Sequence, residues 1–134
     1  MAMSNKPNPI LLSINICDQI IRDEITKKIS LIGLFNAISA RNFPTTHALM
    51  HIYVSLTDGY GDYSTEVNIT DETDNKIIAN IQGPNISFKD PLHIVELNLQ
   101  IRNLVFQKEG NYKVNFLCNN EGIGGIKFIV VKSK

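Results

Sequence analysis

The chain has 134 residues, a length typical of one domain, and 43% of them are hydrophobic while 19% are charged. Thirteen Lys and Arg residues balance thirteen Asp and Glu residues, so the formal net charge is zero. Nucleic acid is a poor candidate partner, because binding a phosphate backbone needs clustered cations. Zero net charge instead favours self-association, since no long-range repulsion keeps copies of the chain apart.

The amino-terminal residues are polar and include two prolines, so we expect residues 1–9 to be a flexible tail and residues 10–134 to form one domain. They lack the cationic region and the long apolar run of a secretory signal. No stretch approaches the roughly 20 apolar residues that span a bilayer. We therefore expect a cytoplasmic protein without a membrane partner.

Residues 10–17 alternate between apolar and polar side chains, which predicts a first strand. Leu12, Ile14 and Ile16 share one face of it, and we expect that face to point into the core.

The next segment is ambiguous. Residues 18–28 fit either a short helix capped by Asp18 or the end of one strand followed by a polar turn, and their β-branched residues favour the turn. Residues 29–35 then predict a second strand, in which Gly33 indicates a bulge or a close backbone approach.

A short apolar patch at Ala37 and Ile38 leads to Pro44, where the chain must leave a sheet or follow its edge. Residues 49–56 give the clearest strand of the first half. Its apolar face carries Met50, Ile52, Val54 and Leu56, and its other face carries His47, Leu49, His51, Tyr53 and Ser55.

Residues 63–69 and 76–81 alternate on either side of a polar turn and predict a hairpin. In its second strand, Ile77, Ala79 and Ile81 are expected to point inward. Residues 86–88 follow as a brief strand.

The carboxy-terminal third contains the strongest alternation. Residues 95–118 read as a long amphipathic hairpin, with a bend or bulge near Arg102 and Asn103 and with Tyr112 as a tyrosine corner. Residues 125–131 predict the last strand. The inward-facing positions are expected to be Val95, Leu97, Leu99 and Ile101, then Tyr112, Val114, Phe116 and Cys118, and finally Ile126, Phe128 and Val130.

Seven to nine short strands without a convincing helix predict an all-β fold. We expect an antiparallel β-sandwich of Greek-key topology, either immunoglobulin-like or C2-like.

A search for reactive groups finds no catalytic constellation. His47 and His51 would lie roughly 13 Å apart on an extended strand, too far to share a metal ion. Cys17 and Cys118 have no metal spacing and are expected to be buried free thiols. We therefore expect no metal and no cofactor, although residues brought together only in space would escape such a search.

Two groups of residues remain as candidate sites. The loop with Asp58, Tyr60 and Asp62 could bind a carbohydrate or Ca²⁺, although Ca²⁺ prefers six to eight oxygen ligands in one place. Apolar and aromatic side chains on the outer faces predict an interaction surface instead. That surface comprises His47, Leu49, His51, Tyr53, Leu117, Ile129 and Val131.

Four short motifs resemble the opening signature of a family of short, uncharacterised bacterial proteins. They are Ile16-Cys17-Asp18, Arg22-Asp23-Glu24, residues 28–35 and Phe43-Pro44, and residues 110–118 resemble the family's closing Gly-x-Tyr strand. Where the family has a glycine in its first turn, this chain has Lys27. The resemblance implies a β-sandwich and carries no assigned activity or catalytic residue.

Three functions stay open at this point. The first is a non-enzymatic protein–protein interaction or assembly module, which binds itself or another protein. The second is a carbohydrate- or Ca²⁺-binding sandwich, and the third is an enzyme with a spatially assembled site. The absent constellation and the zero net charge favour the first.

Overall fold

The computed structural model describes residues 6 to 134 and shows two facing β-sheets. No helix occurs in this part of the chain, and eleven strands follow one another along it. They are β1 (Ile10–Arg22), β2 (Ile29–Leu34), β3 (Ala37–Ala40), β4 (Thr45–Thr57), β5 (Gly61–Tyr63), β6 (Thr65–Asp71), β7 (Lys76–Gln82), β8 (Ile86–Phe88), β9 (Val95–Phe106), β10 (Gly110–Cys118) and β11 (Glu121–Lys132).

The first sheet has the strand order β2-β1-β4-β9 and the second has the order β3-β11-β10-β6-β7. All pairings are antiparallel except that of β3 with β11, and β5 and β8 form a small ladder of their own. The expected antiparallel β-sandwich is confirmed. Neighbours β11, β10 and β6 correspond to strands G, F and C of an immunoglobulin-like sandwich, and β1, β4 and β9 to strands A, B and E. The expected count of seven to nine strands is corrected to eleven.

The core lies between the sheets and is built by alternate residues of the long strands. Met50, Ile52, Val54 and Leu56 are each 0% exposed, as their alternation predicts. The inward positions expected on β9, β10 and β11 also face the core, with Val95 and Ile126 at its margin. The choice of inner face for the last strand is therefore confirmed.

The expected long hairpin of residues 95–118 is wrong in its pairing. β9 pairs with β4 in the first sheet, while β10 pairs with β6 and β11 in the second. Alternation shows which side of each strand is buried. It does not show the pairing, because two strands that face each other across a core have the same alternation as two strands in one sheet. The connection between them crosses the sandwich.

A tyrosine corner holds this crossing connection, as expected. Tyr112 is 2% exposed, and its hydroxyl donates a hydrogen bond of 2.6 Å to the carbonyl of Lys108. Its ring stacks on Phe128 and meets Phe106 edge-on. Lys108 in turn reaches the Asp74 carboxylate at 2.6 Å, which fastens the connection to the turn after β6.

Two inward assignments are corrected because the strands contain bulges. The register of β1 shifts between Leu11 and Ser13, so Leu11 packs on the core and Leu12 is exposed. The register between β6 and β7 shifts after Ile69, so Ile78 packs on the core and Ile77 is exposed. An inserted residue reverses the facing of everything beyond it.

The expected tail, residues 1–9, is described only from residue 6 onward. Pro9 is buried, and the carbonyl of Pro7 accepts a hydrogen bond of 2.6 Å from Tyr63. The Asn8 amide reaches Glu121 at 2.8 Å. These four residues therefore lie against the sandwich. In residues 6 to 134, no helix is long and apolar enough to cross a membrane.

Candidate interaction surface

The β1–β2 hairpin projects from the first sheet and carries the candidate site. β1 pairs with β4 only as far as the pair Cys17 and His51, and beyond that point it pairs with β2 alone. β1 is longer than the expected first strand and continues to Arg22. The favoured turn is found in the remaining part of the ambiguous segment, between Arg22 and Ile29.

The hairpin turn is fixed by Asp23. Its Oδ1 accepts hydrogen bonds from the backbone N–H groups of Ile25 at 2.9 Å and Thr26 at 2.7 Å. Both bonds stabilise the charged carboxylate and so lower the pKa of Asp23, and the bond from Thr26 has the larger effect. Lys27 adopts φ of +64°, the left-handed conformation that the family's glycine would adopt without strain.

Gly33 allows β2 to approach Asp18 closely, as expected from its position. Its φ is +72°, and a Cβ atom built there would lie 2.5 Å from Asp18 Oδ2. The Asp18 carboxylate therefore occupies the space above Gly33 that a side chain would fill. A side chain at this position would be strained by the backbone angle and would have to displace the Asp18 carboxylate.

The hairpin leans over the outer face of the first sheet. Lys27, Lys28, Ile29 and Leu31 of the hairpin line a groove of about 530 Å³ together with Tyr53 and Glu96 of the sheet. On the floor of the groove the Tyr53 hydroxyl donates a hydrogen bond to Glu96. Desolvation raises the pKa of Tyr53, and the Glu96 carboxylate raises it further.

The opposite side of the hairpin is apolar and uncovered. Ile21 is 43% exposed and Ile32 is 44% exposed. Ile32 lies opposite Gln19 and diagonally next to Ile21, so these two side chains, which we call the hairpin face, are neighbours. Leu34, which is 61% exposed, pairs with Cys17 and through it with His51, so it lies on the Tyr53 side, because the alternation of β2 changes at Gly33 with its φ of +72°.

The edge strand of the hairpin has no protection. β2 is the last strand of its sheet and contains neither a charged residue nor a proline within Ile29–Leu34. The edge strands β9 and β7 carry charges, among them Glu96 and Lys76. Charges and prolines are the usual means of keeping sheet edges from pairing with other chains. β2 is thus open to pairing.

The structure divides the predicted interaction surface between opposite sides of the sandwich. Leu49, His51 and Tyr53 lie on the outer face of the first sheet, where each pairs with a polar residue of β9. His51 is only 7% exposed, and its Nδ1 lies 3.1 Å from Asn98 Oδ1. Tyr53 borders the groove beneath the hairpin.

The assignment of His47 to this outer stripe is corrected. Asn103 has φ of +54°, and the alternation of β9 changes there while its register with β4 continues on both sides. This confirms the expected bend. His47 pairs with the inward-facing Leu104, so its ring turns toward the core and contacts Phe35 at 5.5 Å between centroids. Its Nε2 is buried without a hydrogen-bond partner among residues 6 to 134.

Leu117, Ile129 and Val131 lie on the outer face of the second sheet but do not form one patch. Leu117 pairs with Gly122, whereas Ile129 pairs with Asn111, six residues further along β10. Six residues of strand span roughly 20 Å. Between them on the same face lie Lys113 and Lys127.

The backbone of the predicted ligand loop of Asp58, Tyr60 and Asp62 is held by hydrogen bonds within the chain. The Asp58 amide donates to the Pro91 carbonyl at 2.9 Å, and the Tyr60 amide donates to the Tyr63 hydroxyl at 3.0 Å. Lys6 donates to the Asp62 carbonyl. Among residues 6 to 134, no three His, Cys, Asp or Glu side chains are grouped to hold a metal ion.

Both cysteines are free and buried, as expected. Desolvation raises the pKa of the Cys17 thiol and raises that of Cys118 to about 11. A thiol with a raised pKa is a poor nucleophile, because the thiolate is the reactive form. Both thiols are therefore packing groups at neutral pH.

Sequence reasoning missed the hairpin face because it left open where the first strand ends and did not pair it with the second. The signal was present in the sequence, since Ile21 and Ile32 are apolar residues on either side of a polar turn. Only the pairing of β1 with β2 shows that they meet on one side.

Fold and surface together define the class of the protein: a small immunoglobulin-like β-sandwich with a projecting, apolar hairpin. Within this class, the chain belongs to a family of unknown function, DUF6941, whose model matches residues 12–131. The resemblance to an uncharacterised family is thereby confirmed. No curated protein sequence is significantly similar to the chain.

Several solved structures are similar to the chain. The alkylpurine DNA glycosylase AlkC of Pseudomonas fluorescens, bound to DNA containing an abasic site analog, matches 88% of this chain with a TM-score of 0.53 and 10% identity. A β-glucosidase of Listeria innocua matches 92% with a TM-score of 0.49 and 9% identity. The chain spans 30% of the glycosylase and 16% of the glucosidase.

The CARDB domain of a Pyrococcus furiosus protein, in complex with di-metal ions, is also similar. It matches 93% of this chain and 96% of its own length, with a TM-score of 0.45 and 15% identity.

Proposed function

We propose that the protein is a non-enzymatic protein–protein interaction module that binds through the hairpin face, either to itself or within a larger assembly. One observation carries the proposal: the large aliphatic side chains of Ile21 and Ile32 are exposed side by side on a projecting hairpin whose edge strand, β2, is unprotected. Edges of this kind recruit a further strand, and continuous exposed apolar stripes mark contact sites. Zero net charge adds no barrier to the approach of a partner.

The energy available suits a reversible contact. Complete burial of an exposed Ile or Leu side chain contributes about 1.5–3 kcal/mol. The two side chains of the hairpin face are each a little under half exposed, so covering them contributes roughly 1–3 kcal/mol before backbone hydrogen bonds are added. Because association itself costs several kcal/mol, both contributions are needed for binding.

The test compares two lysine substitutions on opposite sides of the sandwich. Ile32→Lys places a charge in the hairpin face, while Ile129→Lys does so at an equally apolar site, 42% exposed, on the second sheet. Each full-length chain is studied by light scattering after gel filtration and as tagged bait in extract of the native source. Binding lost in Ile32→Lys and kept in Ile129→Lys is the expected result.

Two results would overturn the proposal. The first is a wild type that is strictly monomeric and retains no protein from the extract, because the proposed interaction then does not occur. Binding lost only in Ile129→Lys would move the site to the other sheet, to the surface that the sequence predicted.

We also propose a bacterial cytoplasmic location. It is supported by the two free thiols, which persist in a reducing compartment, and by the family resemblance noted in the sequence.

A further inference from the structure

A second apolar surface lies at the start of β1, at the opposite end of that strand from the hairpin. Leu56 of β4 is buried in the core, so the next residue, Thr57, faces outward. Ile10 pairs with Thr57 and is 52% exposed on this outer face. Val95 of β9 pairs with Leu56, which places Ile94, 62% exposed, on the other side of Thr57. Ile10 and Ile94 therefore flank Thr57 in one row across three strands.

Two leucines extend this row. Leu12 is 51% exposed at the bulge of β1, two residues after Ile10. Leu92 is 82% exposed in the loop that leads into β9, two residues before Ile94. We call Ile10, Leu12, Leu92 and Ile94 the end patch. Together they expose roughly 400 Å² of surface, a size at which apolar patches on single chains are often functional.

The polar groups in the middle of the end patch already have partners within the chain. The Thr57 hydroxyl lies 3.2 Å from the His93 carbonyl and 3.4 Å from the Pro91 carbonyl, and it donates to them. The N–H of Leu92 donates to the Asp90 carboxylate at 2.9 Å. Burying a polar group is costly when its hydrogen bonds are lost. A partner can therefore cover the end patch without leaving these groups unsatisfied.

We propose that the end patch binds the end patch of a second copy of the chain about a twofold axis. Such a contact is self-complementary, because the same surface forms both of its sides. A standard interface buries about 800 Å² on each partner, of which roughly 57%, or about 450 Å², is apolar. The end patch provides nearly that apolar area. Zero net charge adds no long-range repulsion between the copies.

Carboxylates at the border of the end patch disfavour an anionic partner. Asp58, Asp90 and Glu96 lie next to it in the chain, and their charges repel the phosphates of a nucleic acid or of an anionic membrane. Two of them are bonded within the chain, since Asp90 accepts the N–H of Leu92 and Glu96 accepts the hydroxyl of Tyr53. In a dimer they lie at the rim of the contact, where water and salt screen their charge.

The dimer goes beyond the proposed function, because it leaves the hairpin free. Ile10 and Ile21 lie near opposite ends of β1, and eleven residues of extended strand cover roughly 35 Å. Each dimer then carries two hairpin faces. A partner with two matching sites would be held twice, which raises its overall affinity without any new kind of contact.

Sedimentation equilibrium of the full-length chain tests the contact. The wild type should show a monomer–dimer equilibrium with a Kd on the order of 10 µM. Ile94→Lys should weaken dimerisation at least about tenfold, because it places a charge in the apolar contact on both sides. Ile77→Lys is the matched control, since Ile77 is 56% exposed on the edge strand β7 of the second sheet. It should leave the dimer unchanged. Circular dichroism verifies that each variant is folded.

A mixture of two variants identifies the second copy as the partner. Ile94→Asp should dimerise as poorly as Ile94→Lys when each is studied alone. Mixed in equal amounts, the two should bind each other more tightly than either binds itself, because the twofold contact brings opposite charges together. Native mass spectrometry separates the heterodimer from the two homodimers by mass.

Three results would overturn the proposal. The first is a wild type that stays monomeric at roughly 200 µM, well above the expected Kd. The second is a dimer that Ile94→Lys does not weaken, or a mixture without an excess of heterodimer. The third is a monomeric wild type that cosediments with vesicles of phosphatidylcholine and phosphatidylserine unless Ile94 is replaced by lysine, since a lipid surface then covers the end patch.

The failures of the two proposals are distinguishable. Ile32→Lys should keep this dimer while it loses the protein that the hairpin face captures. A dimer that Ile32→Lys abolishes and Ile94→Lys preserves supports the hairpin face and overturns the end patch. A dimer that depends on Ile94, in a chain that captures no other protein, supports the end patch and counts against the proposed function.

Discussion

The tyrosine corner gives a prediction that can be worked from the structure in detail. In Tyr112→Phe the ring keeps its contacts with Phe106 and Phe128, at 4.9 and 5.7 Å between centroids. Only the hydroxyl and its 2.6 Å hydrogen bond to the Lys108 carbonyl are lost. A buried hydrogen bond contributes about 0.5–1.5 kcal/mol, and leaving its acceptor partly unsatisfied adds to the cost.

We therefore expect Tyr112→Phe to lower the free energy of unfolding by about 1.5–2 kcal/mol. For a chain of this length that corresponds to a fall in Tm of about 4–8 °C. Urea unfolding followed by far-UV circular dichroism measures the first quantity, and a thermal scan measures the second. Tyr60→Phe is the matched control, since Tyr60 is 56% exposed, and it should change stability by less than about 0.5 kcal/mol.

The pH dependence of the same pair of proteins gives a second readout. Burial raises the pKa of Tyr112, and Asp71 raises it further. A phenol whose folded pKa is raised stabilises the fold below its unfolded pKa, and that contribution is lost as pH rises through the folded value. The difference in the free energy of unfolding between wild type and Tyr112→Phe should therefore decrease above about pH 10. A Tyr112→Phe variant as stable as wild type at pH 7 would refute the reasoning.

Three further predictions concern Gly33, Cys118 and His47. Gly33→Ala should destabilise the hairpin by about 1–2 kcal/mol, measured by hydrogen exchange of the β2 amides. Adding Asp18→Ala should recover the part of this loss that is due to the steric contact but not the part that is due to the backbone angle. Full recovery would contradict the role of the positive φ. The Cys118 thiol, with its pKa raised to about 11 by burial, should stay neutral in the fold while the unfolded thiol ionises from about pH 9. The wild type should then lose about 2 kcal/mol of stability by pH 11, and Cys118→Ala should lack that part of the slope in urea titrations. His47→Phe should raise the free energy of unfolding by up to about 1 kcal/mol, because it replaces the buried Nε2 that has no partner among residues 6 to 134; a destabilised variant would show that this nitrogen is satisfied in solution.

Which side of each long strand faces the core was predictable from the sequence, because the alternation of side chains along a strand decides it. A period of two places alternate side chains on opposite sides, and Met50 to Leu56 on β4 obey it without interruption. The rule fails wherever a residue is inserted, as at Leu12 and at Ile78, since nothing in local composition marks these bulges. Asn103 is the exception, because the change of parity around it is visible in the sequence.

Pairing was not predictable from the same pattern, because the choice of neighbour is a long-range property. β9 and β10 look like a hairpin and lie in different sheets, joined by a connection that the Tyr112 corner holds across the sandwich. β3 was visible as two apolar residues, but its parallel pairing with β11 joins segments about ninety residues apart in the chain. The seven residues that were predicted to form one interaction surface lie on two different sheets for the same reason.

The candidate site lies where these two failures of local reasoning meet. The strands of the hairpin can be found from alternation, yet Ile21 and Ile32 become one surface only through the register of β1 with β2. That hairpin leaves the first sheet after Cys17, next to the close contact of Asp18 with Gly33. An uncharged edge strand with exposed aliphatic residues beside it is unfavourable for an isolated domain. This is the physical reason for proposing that the hairpin binds a partner, because a partner strand would cover the edge.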